Sequence, residues 1–503
     1  MHHPVFLAAG LALTWGLSAP LFAAEQLDSS QSASLVEQGQ YIAKAADCLA
    51  CHVGPDGTPY AGGKPTATPM GDIIAPNISS SKKYGIGDYS VKDLTRVLRD
   101  GKTPSGRHLY PAMPYPAYRG MTDEDIKSLH AYLKTTAAVE QKPSAKTDLK
   151  FPFSMRWLMI GWNAKNLDNY QAPQGLDDQA ARGQYLVDHL GHCGTCHTPR
   201  NSMMGSDYDQ YLGGAQLGNW FAPNITSDQK SGIGAWSEQQ LADYFKTGQM
   251  GYAAQAAGPM AEAVHYSLQY LNEEDRLAIA AYLKSVPAIA DDAQQQPVLD
   301  TRINETLLHR EPKVTQVTRY EERELAQQGL KQEDISDPDS ANGLYAQYCA
   351  SCHGDEGYGQ TTSFYASLVG NTTVRSANPR NLVAVILKGV EFRGATPKPL
   401  MPGFEDKLNH QQIATLANYV RTEFGAYSNS EISTDDVAYI ASGKQKVSAL
   451  IRYAPLLAWL GIILVAVIII AGVWYWRRRR PVRVNPTVSQ TNLDQPPHNR
   501  SDL

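Results

Sequence analysis

Cys48-Leu49-Ala50-Cys51-His52, Cys193-Gly194-Thr195-Cys196-His197 and Cys349-Ala350-Ser351-Cys352-His353 are one five-residue word written three times. The C-x-x-C-H spacing is that of a c-type haem attachment site. Two thiols three residues apart on a helical turn each bond one vinyl group of the same porphyrin. The adjacent His then lies beneath the ring as the fifth ligand of the iron. The pattern predicts Cys48, Cys51, Cys193, Cys196, Cys349 and Cys352 as the attachment residues and His52, His197 and His353 as iron ligands, for three covalent haem c groups. A thioredoxin-type redox pair has no need of the following His, and a zinc site would need a second pair of ligands nearby. The six cysteines of the chain are all used by these words.

Outward from each word the surroundings repeat. Upstream stand Gly39-Gln40-Tyr41, Gly183-Gln184-Tyr185 and Gly343-Leu344-Tyr345. Downstream stand three helix starts: Thr122, Asn272 and Asn409 as N-caps, with Asp125, Asp275 and Gln412 three places on, a capping-box-like pattern. Ile126, Leu129 and Leu133 form an apolar stripe, Ile413, Leu416 and Val420 its counterpart, and the middle copy keeps Ile279 and Leu283. Tyr132, Tyr282 and Tyr419 fall at one place in all three. The upstream glycine is expected to let the closing helix cross the opening helix closely, with the aromatic residue at the crossing. The first two copies also share Ala75-Pro76-Asn77-Ile78 and Ala222-Pro223-Asn224-Ile225, followed by Gly85-Ile86-Gly87 and Gly232-Ile233-Gly234. These loops shape a haem edge; their Asn either bonds a propionate or closes a plain turn.

An electron-transfer haem is usually six-coordinate, and a thioether raises its potential. Each copy offers one methionine beside a proline between its haem word and its closing helix: Met113, Met260 and Met401. The proline is expected to keep each loop extended and stiff. Met121 and Met70 compete in the first copy and His265 in the second. Met121 begins the closing helix and Met70 falls too early, so both are read as packing.

At 503 residues the chain is too long for one core. A hydrophobic content of 43% and a charged content of 19% describe an ordinary globular protein, and a net charge of −5 gives no basic face for nucleic acid. Residues 4–24 are apolar and end in small residues before Glu25, so residues 1–24 read as a secretory signal, with His2 and His3 in its n-region in place of Lys or Arg. Residues 151–162, FPFSMRWLMIGW, are too few to span a bilayer and are either buried linker packing or a partner-facing or interfacial patch. Residues 453–476 carry no charge and are long enough to cross one, and Arg477, Arg478, Arg479 and Arg480 follow at once. The positive-inside rule then puts the C-terminus in the cytoplasm and the haem words in the periplasm.

With these residues in hand, the chain resembles the three-haem cytochrome c subunit of bacterial membrane-bound dehydrogenases. The resemblance rests on the two Ala-Pro-Asn-Ile stretches, residues 110–115, the run from Gly191 to Arg200 and the haem-word spacing. It implies an all-α chain of three tandem class I-like cytochrome c domains; the one transmembrane helix expected to follow them is read from the sequence itself, because some relatives have such a helix and others are attached only peripherally. The expected division is a signal peptide at 1–24, domains at 34–138, 179–286 and 338–426, linkers at 139–178 and 287–337, the helix at 453–476 and a cytoplasmic tail at 477–503. It further implies a catalytic partner carrying a flavin, pyrroloquinoline quinone or molybdenum cofactor, with ubiquinone as acceptor and no catalytic residue in this chain. Two other readings stand beside it. A haem peroxidase needs an open sixth site, which three placed methionines oppose. A membrane-tethered electron shuttle or oxidase subunit needs no dehydrogenase partner.

Overall fold

Two crossing helices frame each of the first two repeats in the computed structural model. It describes residues 29–167, 170, 172–303, 337–359, 365–391, 400–427 and 431–479. The expected signal peptide, residues 304–336 of the second linker and residues 480–503 of the tail lie outside the described residues. In the first repeat the opening helix Ser29–Ala45 crosses the closing helix Asp123–Leu133. In the second, Asp178–Tyr185, continued by the π-helical turn Leu186–Leu190, crosses Glu273–Ser285. A Cβ on Gly39 would run into the Ser128 carbonyl and one on Gly183 into the Ala278 carbonyl, with the Cβ atoms of Tyr132 and Tyr282 next nearest. Only glycine lets the two backbones approach this closely.

The third repeat departs from this plan. A Cβ on Gly343 would meet Asp337 and Ser340 of its own helix start, not the closing helix His410–Gly425. Contact there comes from rings: Tyr345 lies 5.3 Å from both Tyr419 and Phe424.

All three predicted N-caps form. Thr122, Asn272 and Asn409 accept from the backbone N–H groups of Asp125, Asp275 and Gln412 at 3.1, 2.7 and 2.9 Å. The return bond of a capping box closes only at Gln412. Asp125 and Asp275 turn away from their own caps instead, and both stay buried. The Tyr185 hydroxyl donates to Asp125 Oδ2 at 2.5 Å and accepts from the Thr122 N–H at 3.2 Å. Reciprocally, the Tyr41 hydroxyl donates to Asp275 Oδ2 at 2.5 Å and accepts from the Asn272 N–H at 3.3 Å. Each tyrosine thus completes the cap of the other repeat's closing helix, an isologous exchange of the kind a two-fold axis produces. A single apolar cluster accordingly runs through both repeats, from Ile42 and Leu129 to Ile279 and Leu283.

A second cluster, from Leu344 to Ile440, holds the third repeat together. It is tied to the second by paired bonds between the Asn381 side chain and the Phe221 backbone, 2.8 Å each, and by Asn219 donating to the Ile440 carbonyl at 2.7 Å. The core is helical, as expected, but the loops pair into short antiparallel strands. Pro65–Thr68, Gly71–Ile74 and Asp148–Leu149 form one sheet, and Ala215–Leu217 pairs with Trp220–Ala222. The second strand of each hairpin delivers the Ala-Pro-Asn-Ile stretch, so a strand sets where that loop lies. The helix Ala449–Arg478 has no buried residue, and it alone among the described residues is long and apolar enough to cross a membrane.

Candidate functional site

Each haem word folds as a single turn of helix: Cys48–His52, Gly194–His197 following Cys193, and Ala350–His353 following Cys349. The turn points both thiols and the imidazole of a word to one side, and all nine residues line one continuous cavity of about 1770 Å3. A pocket for one drug-sized molecule occupies roughly 300–1,000 Å3, so this space accommodates more than one large ligand. Met113, Met260 and Met401 line the same cavity.

The three imidazoles are held alike. Nδ1 of His52 lies 2.8 Å from the Pro76 carbonyl oxygen, that of His197 2.7 Å from Pro223, and that of His353 2.7 Å from Ala366. A carbonyl only accepts, so Nδ1 must carry the hydrogen. Burial lowers the pKa of all three imidazoles and opposes a second proton. Nε2 is left with its lone pair, the state an iron ligand needs. In the first two repeats the acceptor is the proline of Ala-Pro-Asn-Ile, which gives that stretch its role.

The asparagine of the same stretch has a different job. Asn77 donates to the carbonyls of Val139 and Gln141 and accepts from the Ser79 N–H at 2.9 Å. Asn224 donates to Ser231 and Ile289 and accepts from the Thr226 N–H at 2.9 Å. Both amides clamp the loop to the chain leaving the closing helix. The turn reading holds, and the propionate alternative has no free amide group to use.

Five of the thiols, Cys48, Cys51, Cys193, Cys196 and Cys349, are not tuned for thiolate chemistry, because burial raises the pKa of each. Burial pushes Cys48 up to about 12, Cys51 to about 11, and Cys193 and Cys349 to about 12. A redox C-x-x-C needs a lowered thiol pKa. Nor do three or more His, Cys, Asp or Glu side chains converge as a metal cluster anywhere among the described residues. Paired thiols to bond two porphyrin vinyl groups, an imidazole with a free Nε2 and a thioether lining the same cavity are what a c-type haem requires, and the site fits that group.

The methionines reach the cavity by different routes. Met113 lies in a turn before Tyr115–Tyr118, its N–H donating to the Tyr110 carbonyl at 3.1 Å, so its proline-flanked loop is bent where an extended one was expected. Met401 sits on the strand Leu400–Met401, paired with Val390. Met260 instead lies in the first turn of the helix Gly258–Tyr266, because Pro259 beside it occupies a first-turn position, where its missing N–H costs nothing. Met121 also lines the cavity and is buried, whereas Met70 and His265 do not line it.

A cytochrome c family model matches residues 36–137 and 180–287, and a model described as cytochrome C oxidase, cbb3-type, subunit III matches residues 336–420. The chain is 41% identical over 462 residues to the fructose dehydrogenase cytochrome subunit of Gluconobacter japonicus, covering 89% of this chain and 92% of that one. It is 35% identical over 425 residues to the gluconate 2-dehydrogenase cytochrome c subunit of Pantoea cypripedii, covering 82% and 90%. With the alcohol dehydrogenase (quinone), cytochrome c subunit of Gluconacetobacter polyoxogenes the identity is 34% over 459 residues, covering 88% and 91%. The chain belongs to the cytochrome c subunits of membrane-bound dehydrogenases.

A cytochrome c subunit of this kind carries covalent haem c and serves electron transfer, as the non-catalytic component of its complex. Within this one, some of the best-placed residues near the cavity carry no motif. Asp188, five residues before Cys193, is buried and accepts from Tyr170 at 2.7 Å, from Tyr282 at 3.0 Å and from Tyr211. Burial raises its carboxyl above the usual value, against the pull of the three hydroxyls. Tyr282 was legible as a repeated aromatic position, but its partners come from residues 94 and 112 positions away.

Proposed function

We propose that this chain is the electron-carrying link between a periplasmic dehydrogenase subunit and membrane ubiquinone. The partner oxidises an alcohol, sugar or aldehyde with a flavin, pyrroloquinoline quinone or molybdenum cofactor. Three tandem cytochrome c domains, at 34–138, 179–286 and 338–426, hold one haem each. Cys48, Cys51, His52 and Met113 serve the first, Cys193, Cys196, His197 and Met260 the second, and Cys349, Cys352, His353 and Met401 the third. The haem supplies a reversible one-electron iron couple when bound. The histidines, each oriented by its carbonyl bond, would hold the haem through Nε2, and the methionines would offer a thioether from the same cavity. The spanning helix at 453–476 is a single-pass anchor with haem domains in the periplasm and C-terminus in the cytoplasm, as the arginines that follow it favour.

The observation that supports this reading best is the threefold recurrence of His Nδ1 on a backbone carbonyl, facing one shared cavity with three methionines. The test is purification of the membrane complex in mild detergent. The expected result is three haems per chain that survive denaturation, a large cofactor-bearing subunit in the same peak, and substrate-driven reduction of a ubiquinone analogue. Haem extractable by acid-acetone would remove the covalent assignment. A haem-loaded chain that purifies without a dehydrogenase would favour the free shuttle.

A further inference from the structure

Residues 151–162 belong to no haem word. They run through the 3-10 turn Arg156–Leu158 into the helix Met159–Asn166. Their inner face grips the loop that carries Met113. The Tyr110 hydroxyl donates to the carbonyls of Phe153 and Ser154 at 3.0 and 3.2 Å, and the Tyr115 hydroxyl donates to Asn163 Oδ1 at 2.6 Å. Arg156 donates to the His108 carbonyl at 2.9 Å and lies 4.3 Å over the Tyr110 ring. The outer face is apolar and bare, with Trp157 62% and Ile160 59% exposed.

The helix Ala449–Arg478 fixes what lies opposite that face. Its cap residue Ser448 donates to the Ser202 carbonyl at 2.6 Å, and Trp162 donates to the adjacent Met203 carbonyl at 2.9 Å. Both elements are therefore tied to one loop. The Phe151 ring lies 5.4 Å from the ring of Trp459. Along the helix Ile451, Ala454, Pro455 and Ala458 are half-covered, a stripe spaced i, i+3, i+4, i+7. From Trp459 onward every described residue is exposed, so the folded body ends level with that ring. Residues 460–476 extend about 25 Å at 1.5 Å each. A hydrocarbon core is about 30 Å thick. With Arg477 at the far surface, the near surface of the core falls at or just before Trp459, where Phe151 stands.

We infer that residues 151–162 form a membrane-surface segment that seats Phe151, Trp157 and Ile160 in the periplasmic leaflet beside the spanning helix. The seat holds the Met113 loop, and with it the first haem site, against the lipid. The inference rests on the reading of residues 453–476 as the anchor. Aromatic and aliphatic side chains at that depth suit the boundary between headgroups and acyl chains. Continuity with the helix selects lipid as the occupant.

The test uses the full-length complex in vesicles of phosphatidylethanolamine and phosphatidylglycerol doped with a diazirine lipid, photolysed and mapped by peptide mass spectrometry. The expected adducts fall on residues 449–478 and also on residues 151–165. The double substitution Trp157→Glu, Ile160→Glu should remove the second set at least tenfold, leaving the first set and the haem content unchanged. Adducts on the helix alone would overturn the inference while keeping the anchor; a face covered by the catalytic subunit gives that result. Adducts on neither segment would remove both readings. Adducts on 151–165 alone would remove the spanning helix and overturn the inference as stated, since the seat is placed beside that helix.

Discussion

Under the proposed ligation, a single thioether would decide whether each iron is closed to outside ligands. Met113, Met260 and Met401 line the cavity from a turn, a helix start and a strand, so no shared local geometry brings them there. Loss of the sulfur should lower the potential of one haem, by tens to hundreds of mV within the ~0.8 V range that axial ligands span. Met113→Ala, Met260→Ala and Met401→Ala are each expected to lower one midpoint in a spectroscopic redox titration and to open one haem to carbon monoxide. Met121→Leu is the matched control, because Met121 is buried on the same cavity and is read as packing. A shift on Met121→Leu with none on Met113→Ala would reassign the first site. Likewise, a silent Met260→Ala with a shifted His265→Ala would reassign the second.

Among the elements, the two helix crossings are the least forgiving. At Gly39 and Gly183 a methyl group would meet backbone of the closing helix, which has no rotamer to move aside. Gly39→Ala should therefore destabilise the chain by about 1–3 kcal/mol or more, as overpacking does. Gly161→Ala, with nothing within 4 Å, should cost little. Denaturant unfolding followed in the Soret band separates the two; equal effects would mean the crossing relaxes. The capping boxes teach a similar lesson. Thr122 with Asp125 and Asn272 with Asp275 read as local motifs, yet their carboxylates serve a neighbour more than 50 residues away in sequence.

At the scale of the whole molecule, the first two repeats behave as one body through that exchange. Asp275 is its most buried contact. Burial works against its charge, but hydrogen bonds from Arg182 and Tyr41 and the Arg182 charge outweigh this and hold the carboxyl below its usual value. A depressed folded pKa contributes stability that is complete above the unfolded carboxylate value, about 4. That contribution is lost as pH falls through the lower folded value. Tyr41→Phe should cost about 1.5–3 kcal/mol at pH 7, as a hydrogen bond to a charged group does. The difference from the parent protein should shrink at pH values below the unfolded carboxylate value. Denaturant melts at several pH values check this, and a cost that grows with acid would refute it.

The sequence by itself determined the chemistry. Covalent haem attachment depends on a local spacing of Cys, Cys and His on one turn, and a spanning helix depends on an uninterrupted apolar run; both are short-range properties. The N-caps and the closing-helix stripes were legible for the same reason. Only the tertiary structure decided what the polar side chains around the words are for. The Pro76 and Pro223 carbonyls orient imidazoles, Asn77 and Asn224 clamp loops, and Tyr41 and Tyr185 complete each other's repeats. Each of these groups has several possible hydrogen-bond partners, and the choice rests with residues brought close by packing. The third repeat's different crossing and the meeting of Phe151 with Trp459 were hidden likewise, because they depend on where whole elements come to rest.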